Sequence, residues 1–363
     1  MKQVRVGMVG LGTIHAIHAE AFKPDTDKDT AGNETATANS PRYDIREDPL
    51  GKIAAVFDID PAKSSKRALE FNCTAHSSYE SMINDPDIDA VDITLPHALH
   101  YEFVRNALDS GKHVLVEKPM APLASQCREL IEKAQQNGLI FTVAENTRFV
   151  HAYQEVKRLL DDEIIGTPRL IRTFISGSEV TRLRDTSLWK GRIDGTVGGA
   201  IMDAGPHSFY LLKWLFGNVG ELRASASRLV NESEVEDHAL VAGALESGTL
   251  FSCEFTFTAE MPWNERLEVH GSKGTIVVDQ LSDPPIVIYK GELDFYGTAH
   301  KAVPHDPVWW KGSSIVAGVN DFLDAVSRNR PTTVDPRDGC YAIEIVEAAY
   351  RSCSNNGQVI VLS

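Results

Sequence analysis

The chain has 363 residues, 42% hydrophobic and 24% charged, with 26 Gly, 17 Pro and a formal net charge of -15. That length favours two domains, and the composition is ordinary for a globular protein, excluding collagen-like, coiled-coil and wholly disordered chains. The acidic excess argues against nucleic acid or an anionic membrane surface as the main partner, because neither phosphate neutralisation nor polybasic attraction is available to the chain as a whole.

Residues 3–9 form a short apolar run that stops at Gly10-Leu11-Gly12, and residues 13–22 follow with helical composition. Strand, glycine turn, helix is the order that a dinucleotide site requires. The third position of that fingerprint holds His15 instead of glycine, which should set the helix slightly off the strand or bring an imidazole near the pyrophosphate. Lys2 and Arg5 before the apolar run faintly imitate an export signal, but Gly7, Gly10 and Gly12 interrupt it. No run approaches the length of a membrane helix. The five cysteines are odd in number and share no CxxC spacing, so neither a disulfide framework nor a structural zinc site is expected, and the cytoplasm is the expected compartment.

Residues 23–50 are acidic, with only Tyr43, Ile45 and Leu50 large and apolar. Such a stretch cannot bury enough surface to offset its own ordering entropy. It is expected to be a surface excursion from the amino edge of a sheet, or else an arm that contacts another subunit.

Apolar runs at 52–58, 90–95, 113–116 and 140–144 then alternate with helix-like stretches at 61–71, 100–110 and 122–137. The alternation predicts an α/β domain with a doubly wound, mainly parallel sheet whose ligands bind beyond the carboxyl ends of the strands. Asp58 ends the second run, where a carboxylate accepts hydrogen bonds from the adenosine ribose. It stands 46 positions after Gly12 instead of about 20, and the acidic insertion accounts for the excess. A 2'-phosphate about 4 Å from that carboxylate would cost about 4 kcal/mol at an effective dielectric near 20, so NAD should be preferred over NADP. The plainer alternative is that Asp58 only begins the turn into Pro61 and caps the next helix. Lys118 follows the strand at 113–116, where its ammonium could hold a substrate oxygen; a lysine there could equally be a solvated surface charge.

From about residue 167 the pattern becomes strand-like, at 168–176, 221–230, 237–246, 249–258, 264–271 and 274–279, without helices between. Phe251, Cys253, Phe255 and Phe257 alternate with Ser252, Glu254, Thr256 and Thr258. This predicts an antiparallel sheet with one face covered by helices and the other wet or shared with a second subunit. Helix-like segments at 315–328 and 338–354 close the chain. Gly198-Gly199 leads to Asp203 and His207, four positions apart, which share a face if a helix begins near Asp203. A histidine beside a carboxylate can take up a proton near neutral pH; a capped helix start with a satisfied histidine is the plainer alternative. No spacing suggests a metal site.

Gly10-Leu11-Gly12 with His18, Pro96-His97 with His100, Gly111 with His113, Glu117-Lys118-Pro119, Asn146 with Arg148-Phe149, and Gly198-Gly199 running to Asp203, Gly205 and His207 occur together in this order. Glu236-Asp237, Leu267-Glu268 with Gly271 and Gly274-Thr275, and Glu344 to Tyr350 follow. In these features the chain resembles the Gfo/Idh/MocA oxidoreductases over nearly its whole length. The resemblance implies a Rossmann domain, 1–145, followed by an α/β domain, 146–363, with a large open, mostly antiparallel sheet used for substrate binding and oligomerisation. A homodimer or homotetramer is expected.

It further implies NAD(H) as cofactor, contacted by Gly10, Gly12, Thr13, Ile14, Asp58, Leu95, Pro96, His97, His100, Glu117 and Lys118. Lys118, Asp203 and His207 become the catalytic constellation. His97, Asn146, Arg148, Trp189, Lys190 and Arg192 join Asp203 and His207 around a small-molecule polyol. Trp189 could instead be an interdomain contact. The expected reaction is NAD-dependent oxidation of a secondary ring hydroxyl on a sugar, cyclitol or glycoside, including formation of a 3-oxo glycoside. The alternatives are a sugar–sugar oxidoreductase with tightly held cofactor and a noncatalytic nicotinamide-responsive sensor. Tyr210 stands where many relatives have Asp, which weakens any detailed substrate analogy.

Overall fold

A computed structural model describes residues 3–23, 48–290, 300–303 and 311–362. Most of the acidic stretch, 24–47, lies outside the described residues, and so does the expectation placed on it. Backbone contacts divide the chain into two units, Met1–Val150 with Pro307–Cys340 and His151–Asp306 with Tyr341–Ser363.

The first unit is built on six parallel strands: β1 (Val4–Val9), β2 (Gly51–Phe57), β3 (Thr74–Ala75), β4 (Ala90–Ile93), β5 (His113–Val116) and β6 (Phe141–Val143). Their order, β3-β2-β1-β4-β5-β6, is that of a dinucleotide-binding sheet. Strands β1, β4 and β5 are almost wholly buried, as a sheet covered on both faces requires. The helix after the glycine turn is shorter than its composition suggests, with one α-turn, His15–His18, tightening into a 3-10 turn, Ala19–Phe22.

Contacts place the late helix Lys311–Arg328 in the first unit, although a boundary at 145/146 assigns it to the second. The reason is apolar: Val316, Val319, Phe322 and Leu323 share one buried cluster with Val4, Val6, Ala90 and Leu115. Gly51 makes room for this, since a Cβ there would lie 2.8 Å from a Leu323 methyl.

The second unit holds one sheet of nine strands. These are β7 (Pro168–Ser176), β8 (Val219–Ser227), β9 (His238–Leu245), β10 (Leu250–Thr256), β11 (Asn264–Gly271), β12 (Gly274–Asp279), β13 (Ile286–Lys290), β14 (His300–Val303) and β15 (Ile360–Val361). The order is β14-β13-β12-β11-β7-β10-β9-β8-β15, antiparallel throughout except for the parallel pair β7 and β10. As the alternation predicts, Phe251, Cys253, Phe255 and Phe257 are buried. On the other face Arg172 of β7 reaches Glu254 and Glu268, each at 3.3 Å.

Helices do intervene between β7 and β8, contrary to the strand-only reading of this region. The longest, Gly205–Phe216, covers the apolar face, with Phe209 edge-on to Phe255 at 6.0 Å. Its dense apolar composition reads from sequence as a buried run of either kind.

Candidate functional site

In the first unit the glycine turn follows directly on β1. Gly10 has φ +84, and a Cβ there would lie 2.6 Å from the Thr94 carbonyl, so only glycine fits. Thr94, just past β4, closes the turn from the other side, its Oγ1 donating to the Gly10 carbonyl at 2.6 Å and its N–H to Val9 at 2.8 Å. Gly12 and Thr13 are exposed, and a Cβ on Gly12 would meet nothing within 4 Å. This leaves an open backbone face on which a pyrophosphate could approach.

Asp58 ends β2 and braces the turn. Its Oδ2 accepts the Leu11 N–H and its Oδ1 the Asp60 N–H, at 2.8 and 2.9 Å. The helix Pro61–Phe71 is capped by Asp60 and not by Asp58, so the plainer reading of Asp58 as the cap does not hold. Each carboxylate oxygen keeps a lone pair for a ribose hydroxyl.

His15 does not turn its imidazole toward a pyrophosphate. Its ring turns back so that Nδ1 pairs with the Gly12 carbonyl, and the side chain is fully buried, offering no surface to a dinucleotide. Burial holds its pKa below the ordinary value, despite the opposing Gly12 contact. Ile14 is half-buried at the entry to the helix.

Leu95 and Pro96 leave β4 toward a 3-10 turn, His97–Leu99. His97 is buried and meets His100 edge-on at 5.9 Å. The fully buried His100 ring ties two loops together, with Nδ1 2.6 Å from the Pro119 carbonyl and Nε2 2.8 Å from the Leu95 carbonyl. Burial lowers its pKa against the pull of both carbonyls. With both ring nitrogens engaged, what it does here is hold the two loops together.

Glu117 and Lys118 follow β5, the glutamate buried and the lysine half-buried. Glu117 Oε2 accepts the Lys118 N–H at 2.9 Å, while Oε1 lies 3.1 Å from His18 Nε2. The other His18 nitrogen reaches both oxygens of Asp92, at 2.9 and 3.1 Å. Burial alone would depress the His18 pKa, but the Asp92 and Glu117 carboxylates outweigh it and raise the value to about 10. Asn146 is buried and donates to Ser314 Oγ at 2.8 Å; Arg148 is half-buried on the same 3-10 turn.

In the second unit Asp203 and His207 straddle a helical break. Asp203 ends the short helix Ala200–Asp203, Ala204 interrupts, and His207 lies in the first turn of Gly205–Phe216. The four-residue spacing thus survives across two helices, with Asp203 at the end of one and not at a start. Both side chains are nearly buried. Glu236 holds the approach: its carboxylate accepts the Gly199 and Ile201 N–H groups at 3.0 and 3.1 Å and the Tyr350 hydroxyl at 2.7 Å. A Cβ on Gly199 would lie 1.8 Å from the Glu236 carbonyl, which explains that glycine.

Lys190 pairs with Asp203 and lies 5.7 Å from the Trp189 ring centre and 5.6 Å from that of Phe257. Trp189 is 37% exposed. Arg192 is engaged by Asp194, at 3.0 and 2.5 Å. Tyr210, on the helix Gly205–Phe216, is fully buried. Among the described residues no three His, Cys, Asp or Glu side chains are grouped to hold a metal ion, and no helix is long and apolar enough to cross a membrane.

Sequence reasoning missed Asp92 and Thr94. Asp92 had a visible signal, a lone charge inside the otherwise apolar 90–95 run. Glu236 entered only as one residue of a late motif, with nothing to connect it to Gly199.

Two family models match the chain. One, described as an oxidoreductase family with NAD-binding Rossmann fold, covers residues 4–145, and the other, the GFO/IDH/MocA C-terminal domain, covers 153–277. A dTDP-3,4-didehydro-2,6-dideoxy-alpha-D-glucose 3-reductase of Streptomyces violaceoruber is 33% identical over 77% of this chain and 79% of its own. Myo-inositol 2-dehydrogenase of Thermotoga maritima is 26% identical over 98% of both. A solved levoglucosan dehydrogenase in complex with NADH superposes with a TM-score of 0.84 at 19% identity, covering the whole of both chains.

Proposed function

The chain belongs to the GFO/IDH/MocA oxidoreductase family, and from that premise we propose that it oxidises a secondary ring hydroxyl of a sugar, cyclitol or glycoside with NAD. The observation that carries the reading is the position of Lys118. It leaves the sheet at the carboxyl end of β5, and neighbouring β4 runs on into Thr94, which closes the Gly10 turn. A lysine on that edge belongs to the side of the sheet where a dinucleotide is held.

Gly10, Gly12 and Thr13 would hold the pyrophosphate and Asp58 the adenosine ribose. Bound NAD supplies the hydride acceptor. In the proposed division of labour, the Lys118 ammonium donates a hydrogen bond to the reacting oxygen and favours its developing negative charge. A ring nitrogen of His207 takes the hydroxyl proton, and Asp203 orients either the imidazole or a neighbouring hydroxyl.

The charge pattern favours an uncharged substrate. Lys190 and Arg192, the cations that flank Trp189, are engaged by Asp203 and Asp194. What remains is the exposed face of Trp189 beside hydrogen-bonding groups, and a ring bearing several hydroxyls has both an apolar face and paired donors and acceptors. The relative named a 3-reductase favours a second reading, reduction of the corresponding ketone, with His207 giving the proton back. A screen of sugars, cyclitols and glycosides for NADH formation, and of their keto forms for NADH loss, run beside His207→Ala, tests both. Equal rates in variant and parent overturn the assignment of the base.

A further inference from the structure

Asp92, His18 and Glu117 form a buried chain of charge that the roles above leave unused. Asp92 sits within β4 at 1% exposure, paired across the sheet with Met8 and Leu115, a place that otherwise admits only apolar side chains. Carboxylates only accept hydrogen bonds when ionised. With both carboxylates ionised, a ring that has Asp92 at Nδ1 and Glu117 at Nε2 carries hydrogen on both nitrogens as an imidazolium, in line with its raised pKa.

A core could pack more simply with apolar groups here, since buried ion pairs bring little net stability. What the arrangement supplies is direction. Glu117 is gripped by His18 through one oxygen and grips the Lys118 peptide N–H through the other. His18 itself rides on the single helical turn that follows Gly12. One connected path of hydrogen bonds thus runs from the helix after the cofactor turn to the backbone of the lysine.

We propose that His18 is a positioning residue for Lys118, fixing the Glu117 carboxylate so that it sets both the Lys118 peptide plane and the charge felt by the ammonium. The proposal rests on the reading of Lys118 as the group that holds the reacting oxygen. Its two consequences have opposite signs. Loss of the imidazolium leaves Glu117 uncompensated, and its charge then bears on Lys118 and stabilises the ammonium; loss of the Glu117 charge does the reverse.

The test is competitive acetylation of the full chain with acetic anhydride at mildly alkaline pH, read peptide by peptide by mass spectrometry, with exposed Lys63 as internal reference. His18→Gln should slow labelling of Lys118 at least fivefold and Glu117→Gln should speed it at least threefold, with Lys63 unchanged in both. Should His18→Gln fail to fold, Asp92→Asn keeps an acceptor at Nδ1 while removing the counter-charge, and should shift Lys118 labelling at least twofold. Unchanged Lys118 labelling in variants whose circular dichroism matches the parent overturns the proposal, because a merely structural histidine would alter stability and not the reactivity of one lysine. A separate arm measures NAD-linked turnover of myo-inositol and levoglucosan by parent and Lys118→Ala. Equal rates there overturn the catalytic reading of Lys118, whereas normal labelling beside a slow Lys118→Ala overturns only the role of His18.

Discussion

The Leu11 N–H donates to Asp58 Oδ2 at 2.8 Å across 47 positions of sequence, so the residue expected at the ribose also holds the shape of the glycine turn. Asp58→Asn keeps an oxygen for Leu11, gives up the one that accepts the Asp60 N–H, and removes the negative charge that a 2'-phosphate would meet, a repulsion of about 4 kcal/mol at 4 Å and an effective dielectric near 20. The affinity ratio of NADPH to NADH, from fluorescence titration, should rise at least tenfold. An unchanged ratio would remove Asp58 from the ribose.

Gly10 and Gly12 look alike in sequence and should respond differently to the same change. Gly10→Ala forces a Cβ to 2.6 Å from the Thr94 carbonyl at φ +84, and strain of that kind costs on the order of 1–3 kcal/mol before any clash is counted. Thermal unfolding should shift down by several degrees. Gly12→Ala meets open space and should leave the melting temperature within about a degree, while weakening NADH binding if the backbone there meets the pyrophosphate as proposed. Equal thermal losses in both variants would contradict the geometry.

How far the sequence disclosed these features follows from how local each is. The β1 strand, the turn at Gly10 and the alternation of Phe251 to Phe257 are short-range patterns, and each was readable. The pairing of β7 with β10 is parallel and joins segments some 80 positions apart, which no local period encodes. Likewise Lys311–Arg328 joins the first unit through Val316 and Phe322, whose apolar character names no partner. Within the candidate site Asp92 was readable as an anomaly, but that its counter-ion is His18 depends on β1 and β4 lying side by side.

The His18 pKa gives stability a definite dependence on alkaline pH. Its value rises from 6.5 to about 10 on folding, against burial, through Asp92 and Glu117. A group whose pKa is raised stabilises the fold fully below its unfolded value and loses that contribution as pH climbs through the folded one. Melting temperature should therefore decline between about pH 6.5 and 10 in the parent, and His18→Gln should flatten that decline. A parallel decline in variant and parent would show that His18 is not the group responsible.

His207→Ala should lower turnover by about 10² to 10⁴, the usual contribution of a general base, with NADH affinity unchanged. Asp203→Asn removes the partner of Lys190 as well as a carboxylate, so its effect should divide between KM and kcat. If His207→Ala raises KM alone, the imidazole binds substrate and takes no proton.

Glu236 offers the sharpest contrast between holding a site and serving in it. Its carboxylate receives the Gly199 and Ile201 N–H groups and the Tyr350 hydroxyl, and each buried donor left without a partner costs about 1–3 kcal/mol. Glu236→Ala orphans the Ile201 N–H and the Tyr350 hydroxyl and leaves the Gly199 N–H only the Tyr350 oxygen at 3.2 Å, and should lower stability by several kcal/mol in urea unfolding, whereas Tyr350→Phe leaves every backbone N–H its Glu236 acceptor and should cost about 1 kcal/mol. Because Gly199 begins the turn that ends in Asp203, Tyr350→Phe should keep most of the parent's turnover while Glu236→Gln, which retains one acceptor oxygen, loses an intermediate share. Turnover that falls as far in Tyr350→Phe as in His207→Ala would mean that the hydroxyl acts on substrate, and Glu236 would then belong to the chemistry and not to its support.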